Sequence, residues 1–529
     1  MTTLLSPSKP VHHMAAPHAL PAHSRQSSWL VGAILLVILA GGFFVRFAKL
    51  GRQSLWFDEG YTAWAISLPP AQLVSAIRVD TAPPLYYLLL REWSLLFGRS
   101  EASLRAMSAI FSSAALLLCW LTAKRLLRDQ WAALAATALA GAAYMPVAYA
   151  HEARFYAMML LLAAADFYLA LLAAERDSIG RLILLALCWI ASLYTNNIMT
   201  LYVGLSAVAW LILPGAVPLR RRLLRIAVVA AIAGIAFLPW VPSMLAQRRA
   251  IQGNFWLSPP AGWDLANSFC ALAGIDAMAW HPLHVVMLTI DALLLALVIA
   301  GFMQRRRRAA TAALALMAAL PVLLLFFVSR FSQSVFVDRV FLPSCAFLAI
   351  LWAAPLVWLS AGWKRNCWAA LLVILLGCEI WSMRGQWLGE HAENWRGASQ
   401  YVQAQRQATA AGRSVVIFTS NEGEMLYDYY ARHSDYTRRS DLTGAPRDYF
   451  DPPGGGPPRT MRRIRSDSDV DQLRWLINHG AFDRLFFVQS HQHWGDPSHR
   501  VLRLLLDNLD LQTRREFLGI TVFQFDHAQ

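Results

Sequence analysis

Eleven apolar runs dominate the chain, each near the roughly 20 residues an α-helix needs to cross the ~30 Å hydrocarbon core of a bilayer. In lipid every backbone polar group must be satisfied internally, so runs of this kind restrict the chain to a helical membrane fold. They lie at about 29–48, 102–122, 130–149, 155–174, 181–195, 198–213, 226–242, 284–303, 309–328, 335–359 and 367–383, the fifth and sixth being short. Composition agrees, with 57% of the 529 residues hydrophobic and 15% charged, against about 25% charged in an ordinary soluble domain. A formal charge of +14 on such a chain excludes a disordered protein and argues against a large soluble enzyme. The fold class expected is an α-helical polytopic membrane protein.

The basic residues set the expected orientation. With the N-terminus in the cytoplasm, every even-numbered run ends on the inside. Those ends carry Lys124, Arg125 and Arg128, then Arg176 and Arg181, then Arg220 to Arg222 with Arg225, then Arg305 to Arg308, and finally Lys364 and Arg365. Short cytoplasmic loops hold an excess of Lys and Arg, so most of the positive charge is topological and implies no nucleic-acid partner. Residues 1–28 contain His12, His13, His18 and His23 and lack a compact apolar run with a cleavage site, which reads as a disordered cytoplasmic tail before a retained first helix. Residues 29–383 form the membrane domain, and residues 384–529 fall outside by the same parity. There VVIF (415–418), LFFV (485–488) and ITVFQF (520–525) are strand-like, with helical stretches at 422–433 and 501–509 and a loop at DPPGGGPPR (451–459), suggesting a small α/β domain. Six cysteines without CxxC spacing carry no framework.

Candidate chemistry lies on the outer side. The loop at about 49–101 is longer than a connection requires and semi-apolar, as expected of amphipathic helices lying in the interface. Asp58 and Glu59 sit there among Trp56, Phe57, Tyr61 and Trp64. Carboxylates against an apolar surface are costly unless paired, bound to a cation or catalytic, although an acidic first turn of a helix explains them equally well. His151, Glu152 and Arg154 open the fourth run, either as a polar helix start or with Arg154 facing an anionic group such as a phosphate. Arg78, Arg248, Arg249, Arg330 and Arg339 are further outer cations. Within the runs Asp166, Asp291 and Glu379 are the visible acids, and Asp166 alone fits an ion-coupled transporter. His491 and His493 form an HQH pair without an evident third metal ligand, and no P-loop, GxGxxG, HExxH or GxSxG string occurs.

Taken together, several strings resemble bacterial family 39 glycosyltransferases, polytopic enzymes of the GT-C fold related to protein O-mannosyltransferases and lipid A aminoarabinose transferases. These are SLWFDEGYTAWAI (54–66), DTAPPLYYLLL (80–90), SEASLRAMSA (100–109), HEARFYAMMLLLA (151–163), LYTNN (193–197), LPWVPSMLAQ (238–247), FWLSPP (255–260), DRVFLPSCAFLAI (338–350) and NWRGASQYV (394–402). The resemblance implies a sugar donor on a polyprenyl phosphate and an acceptor hydroxyl on a lipid, glycan or protein at the outer face of the inner membrane. It also implies Asp58 as catalytic base with Glu59 beside it, and Arg154, then Arg339, as phosphate ligands. Asp80, His151 and Glu152 join them as substrate-binding candidates. The chain departs from the pattern where many relatives have histidine, carrying Asp80-Thr81-Ala82 and Tyr194-Thr195-Asn196. No nucleotide cofactor is expected, and a divalent cation stays open. The rival expectation is a polytopic lipid or glycan transporter.

Overall fold

The computed structural model describes residues 22–251, 257–274, 308–408, 414–431 and 482–527, apart from positions 79, 360–361, 390–391, 420, 492–495 and 497, together with isolated positions at 289–296 and 473–478. Most of the run at 284–303, with Asp291, and the loop at 451–459, His12, His13, His18 and His493 lie outside the described residues. Twenty helices are used below: α1 (Ala22–Phe47), α2 (Phe57–Ala65), α3 (Pro70–Arg78), α4 (Leu85–Phe97), α5 (Glu101–Leu127), α6 (Gln130–Ala142), α7 (Tyr144–Ala148), α8 (Tyr156–Glu175), α9 (Ile179–Thr195), α10 (Met199–Ile212), α11 (Leu219–Phe237), α12 (Val241–Ile251), α13 (Gly262–Leu272), α14 (Arg308–Phe331), α15 (Ser344–Ala353), α16 (Pro355–Trp358), α17 (Gly362–Leu388), α18 (Trp395–Ala408), α19 (Asn421–Ala431) and α20 (Arg500–Asn508).

Among the described residues six helices are long and apolar enough to cross a membrane, with α6 and α7 as one further bent pair and 179–195, 199–212 and 344–358 as shorter apolar helices. The bend of 55° between α6 and α7 follows from Pro146, which lacks the N–H that would bond the Ala142 carbonyl and whose ring crowds it. Alanines make close packing possible where α5, α6 and α8 meet: Ala115, Ala133, Ala136, Ala163, Ala170 and Ala173 are all buried. Outward faces carry exposed Leu36, Val37, Ile183, Leu187, Leu224, Ile235 and Val373, as a lipid-facing surface requires. Arg46 is buried within this bundle and donates to Ser112 Oγ (2.8 Å) and to the carbonyls of Gly42 (2.9 Å), Gly141 (3.0 Å) and Ala140 (3.2 Å). Its charge thereby ties α1, α5 and the broken end of α6 together.

Two boundaries differ from the sequence expectation. Helix α1 begins at Ala22, inside the stretch expected as tail. The run at 335–359 is helical only from Ser344, because residues 338–341 form a 3₁₀ turn in which Asp338 accepts from Ser268 Oγ (2.5 Å), and Pro343 then caps α15.

The long outer loop folds as α2, α3 and α4. Helix α4 buries Tyr86, Tyr87, Leu90 and Ser94 on one side while Leu89, Leu95, Leu96 and Phe97 stay exposed, an amphipathic element lying on the bundle. The C-terminal segment carries a four-stranded sheet of order β1-β2-β4-β3, with β1 (Ser414–Phe418), β2 (Arg484–Ser490), β3 (Leu509–Phe517) and β4 (Ile520–His527). Strand β1 pairs parallel to β2; the β2–β4 and β3–β4 pairs are antiparallel. The hairpin between β3 and β4 turns at Leu518 and Gly519, where φ of +74° suits glycine. This segment grips the outer loop: Tyr430 Oη accepts from the Leu55 N–H (2.6 Å), Tyr429 Oη donates to the Arg99 carbonyl (2.6 Å), and Arg396 pairs with Glu101 (2.6 Å).

Candidate active site

Helix α2 positions the two outer carboxylates. Both lie in its first turn, where the orphan backbone N–H groups favour negative charge. Their surroundings then diverge. Glu59 is fully buried and accepts from Arg105 Nε (2.8 Å) and Nη2 (2.5 Å), from the Ala153 N–H (2.7 Å) and from the Trp56 N–H (3.2 Å). Arg105 in turn donates to the carbonyls of Leu50 (2.8 Å), Gln53 (2.8 Å) and Ser54 (2.9 Å). The pair therefore fixes three segments at once: the start of the loop, the start of α5 and the residues before α8.

Asp58 is half-buried and meets arginines through its side chain. Arg339 Nη1 donates to Oδ2 at 3.1 Å, and Arg154 Nη2 stands 4.0 Å from the same oxygen. Arg154 is buried and donates from Nη1 to Tyr87 Oη (3.0 Å), Thr62 Oγ1 (3.3 Å) and the Asp58 carbonyl (3.4 Å), while its Nε has no partner. Its guanidinium lies 4.9 Å from the Phe155 ring centre. Arg339, on the 3₁₀ turn, stands 5.6 Å from the Tyr156 ring and 6.0 Å from Trp56. Two cations held against aromatic faces beside a carboxylate form a ready anion site at the edge of the bundle.

Asp80 joins this centre through Tyr87, whose hydroxyl donates to Oδ2 at 3.3 Å. Burial raises the Asp80 carboxyl above its ordinary range, and Arg154 pulls it back. Asp58, Arg154, Arg339 and Asp80 thus converge. At Glu152, burial, reinforced by the charge of Glu59 and opposed by Arg339, pushes the carboxyl up to about 8. Together with His151, Glu152 lines a cavity of about 380 Å³ between the outer loop and the C-terminal segment. His151 Nε2 lies 3.0 Å from the Val45 carbonyl, a contact to the end of α1 and not to Asp58.

Other sequence candidates fall elsewhere. Asp166 accepts from Trp189 Nε1 (2.7 Å) inside the bundle, a satisfied buried contact of the kind that holds helices together. His491 pairs with Glu393 (3.0 Å) and packs on Phe57. Among the described residues no group of three or more His, Cys, Asp or Glu side chains could hold a metal ion. Sequence reasoning missed Tyr87 and Arg105: Arg105 sits in the SLRAM string, but its pairing with Glu59 spans 46 positions and only tertiary structure reveals it.

Residues 81–242 match the family model described as dolichyl-phosphate-mannose-protein mannosyltransferase, a segment that includes Arg154 and starts after Asp58. A comparison with the sequences of curated proteins finds no match. Among solved structures the chain resembles ArnT from Cupriavidus metallidurans in the apo state, with a TM-score of 0.58 at 14% identity over 95% of this chain and 98% of that one. The same protein bound to undecaprenyl phosphate gives 0.57 at 14% identity, over 94% and 98%. The archaeal oligosaccharyltransferase AglB from Archaeoglobus fulgidus, in complex with an inhibitory peptide and a dolichol-phosphate, gives 0.51 at 11% identity, over 95% and 75%. The chain thus shares the fold of these glycosyltransferase structures along nearly its whole length, and residues 81–242 match the mannosyltransferase family model.

Proposed function

We propose that the protein is an inner-membrane glycosyltransferase that moves one sugar from a polyprenyl-phosphate carrier to an acceptor hydroxyl on the outer face. The observation that carries this reading is the convergence of Asp58 with Arg154 and Arg339 at the outer end of the bundle. ArnT has been solved with undecaprenyl phosphate and AglB with dolichol-phosphate, which supports a lipid-linked donor here. Basic residues gathered at the far ends of α5, α8 and α11, such as Arg125 and Arg222, support an orientation that puts Asp58 outside.

The chemistry asks for little more. The acceptor oxygen attacks the anomeric carbon, its proton passes to Asp58, and the bond from that carbon to the phosphate oxygen breaks with the electron pair leaving on the phosphate. Arg154 and Arg339 stabilise the charge that develops there, so no general acid is needed. One displacement inverts the anomeric centre. Glu59 acts through Arg105 as a positioning residue, because both its oxygens are taken up by Arg105 and backbone N–H groups. Asp80 and Tyr87 hold Arg154 in place from the opposite side. No observation favours the transporter reading, since Asp166 is engaged by Trp189.

The test is reconstitution in proteoliposomes with radiolabelled polyprenyl-phosphate sugars and a membrane extract as acceptor. Label should move to an extract component with inverted anomeric configuration. A retained configuration would remove the single-displacement mechanism, and movement of intact donor across the bilayer without transfer would favour a transporter.

A further inference from the structure

The cavity beside Glu152 is walled by the outer loop on one side and by Trp387 and His491 of the C-terminal segment on the other. Its volume of about 380 Å³ falls within the range of small-ligand sites, roughly 300–1,000 Å³. Three of its lining side chains carry a polar atom that is buried and, among the described residues, has no hydrogen-bond partner: Trp56 Nε1, Trp387 Nε1 and Glu152 Oε2. Buried polar atoms are nearly always paired, and three unpaired ones around one cavity mark places where a ligand's polar groups belong. The set is two indole donors and one carboxyl oxygen, each on or beside a flat apolar face. A polyhydroxylated ring matches it, since every hydroxyl both donates and accepts while ring C–H faces stack on indoles. Near neutral pH the raised Glu152 carboxyl is protonated, so it offers an O–H together with an acceptor oxygen. Lys49 and Arg52, whose nitrogens reach the Trp387 carbonyl at 3.4 and 2.6 Å, hold that indole in place.

We propose that this cavity binds a sugar unit of the acceptor, so that the acceptor is a carbohydrate-bearing molecule and not a bare protein side chain or a lipid without glycan. This rests on the transferase reading and extends it to substrate class. The donor's phosphate belongs with Arg154 and Arg339, and Arg339 stands 6.0 Å from the Trp56 ring centre. None of Asp58, Arg154 and Arg339 is among the residues that line the cavity.

The experiment is saturation-transfer NMR on the full-length protein in nanodiscs, with methyl hexosides, methyl pentosides and a short soluble oligosaccharide as probes. Wild type should bind at least one probe saturably, Trp387→Ala should lose at least about tenfold in affinity, and Trp387→Phe, which keeps the flat face, should retain most of it. Asp58→Asn should bind the probe like wild type. No saturable binding by wild type, or equal binding by Trp387→Ala, would overturn the proposal. So would competition between the probe and the lipid-linked sugar, which would make the cavity the donor's. Donor turnover by wild type is followed separately: turnover without probe binding sinks this inference and leaves the transferase reading intact, whereas binding without turnover does the reverse. Thermal melting of each variant excludes loss of fold as the cause.

Discussion

Glu59 takes hydrogen bonds on both oxygens while Asp58, one position earlier, meets Arg339 and Arg154, so two adjacent acids of one motif have different surroundings, and the proposed mechanism gives the chemistry to Asp58 alone. The family resemblance picked out Asp58, Arg154 and Arg339 through the strings they sit in, and the structure brings the three side chains together. Tyr87 was not picked out, because its role depends on meeting Arg154 across 67 positions. Glu152 supplies a prediction at this scale. Its carboxyl binds a proton more tightly in the folded protein, at about 8, than in the unfolded chain, where its ordinary value is 4.5. The folded state therefore holds the extra proton between those values, and stability falls as pH rises through that window, by on the order of a few kcal/mol. Glu152→Gln should flatten the fall in melting temperature between about pH 5 and pH 8. Parallel curves for wild type and variant would remove Glu152 as the cause.

At the scale of elements, the apolar runs translated into helices where length and hydropathy sufficed, and the exceptions have physical reasons. Strand β3 escaped the sequence reading because most of its residues are exposed and charged or polar, as an edge strand's are, and its β-like alternation is masked. The run at 335–359 concealed a turn, since Asp338 and Arg339 interrupt the apolar pattern and the chain uses them to carry the site's second cation. The Glu59–Arg105 clamp, which no local pattern announces, joins loop, α5 and α8 entry. Removing Arg105 leaves a buried carboxylate uncompensated, at about 3–5 kcal/mol for such a pair. Arg105→Ala should lower the melting temperature more than Glu59→Gln, which keeps the shape and leaves the Arg105 cation held by the carbonyls of Leu50, Gln53 and Ser54. Equal melting of Arg105→Ala and wild type would show the clamp to be dispensable.

The whole molecule joins a lipid-facing bundle to a sheet-bearing segment that rests on the loop carrying Asp58. Contact is closest at Gly60, where an added Cβ would come within 2.4 Å of Leu426 Cγ. Gly60→Val should therefore loosen the packing of α19 on α2, seen as faster proteolytic release of the C-terminal segment, with unchanged membrane insertion. Unaltered proteolysis would mean that Leu426 yields freely. The expected orientation rests on chain order alone, because arginines at the remote helix ends need nothing more to be assigned a side. The joining of the two parts does not, since it relies on pairs such as Tyr430 with Leu55, 375 positions apart. The central claim is that Asp58 takes the acceptor's proton. Its most direct measurement is the turnover rate of Asp58→Asn against wild type at saturating donor, with donor affinity measured alongside: the account expects a loss of about 10²–10⁴-fold in rate with donor binding kept, and undiminished turnover would contradict it.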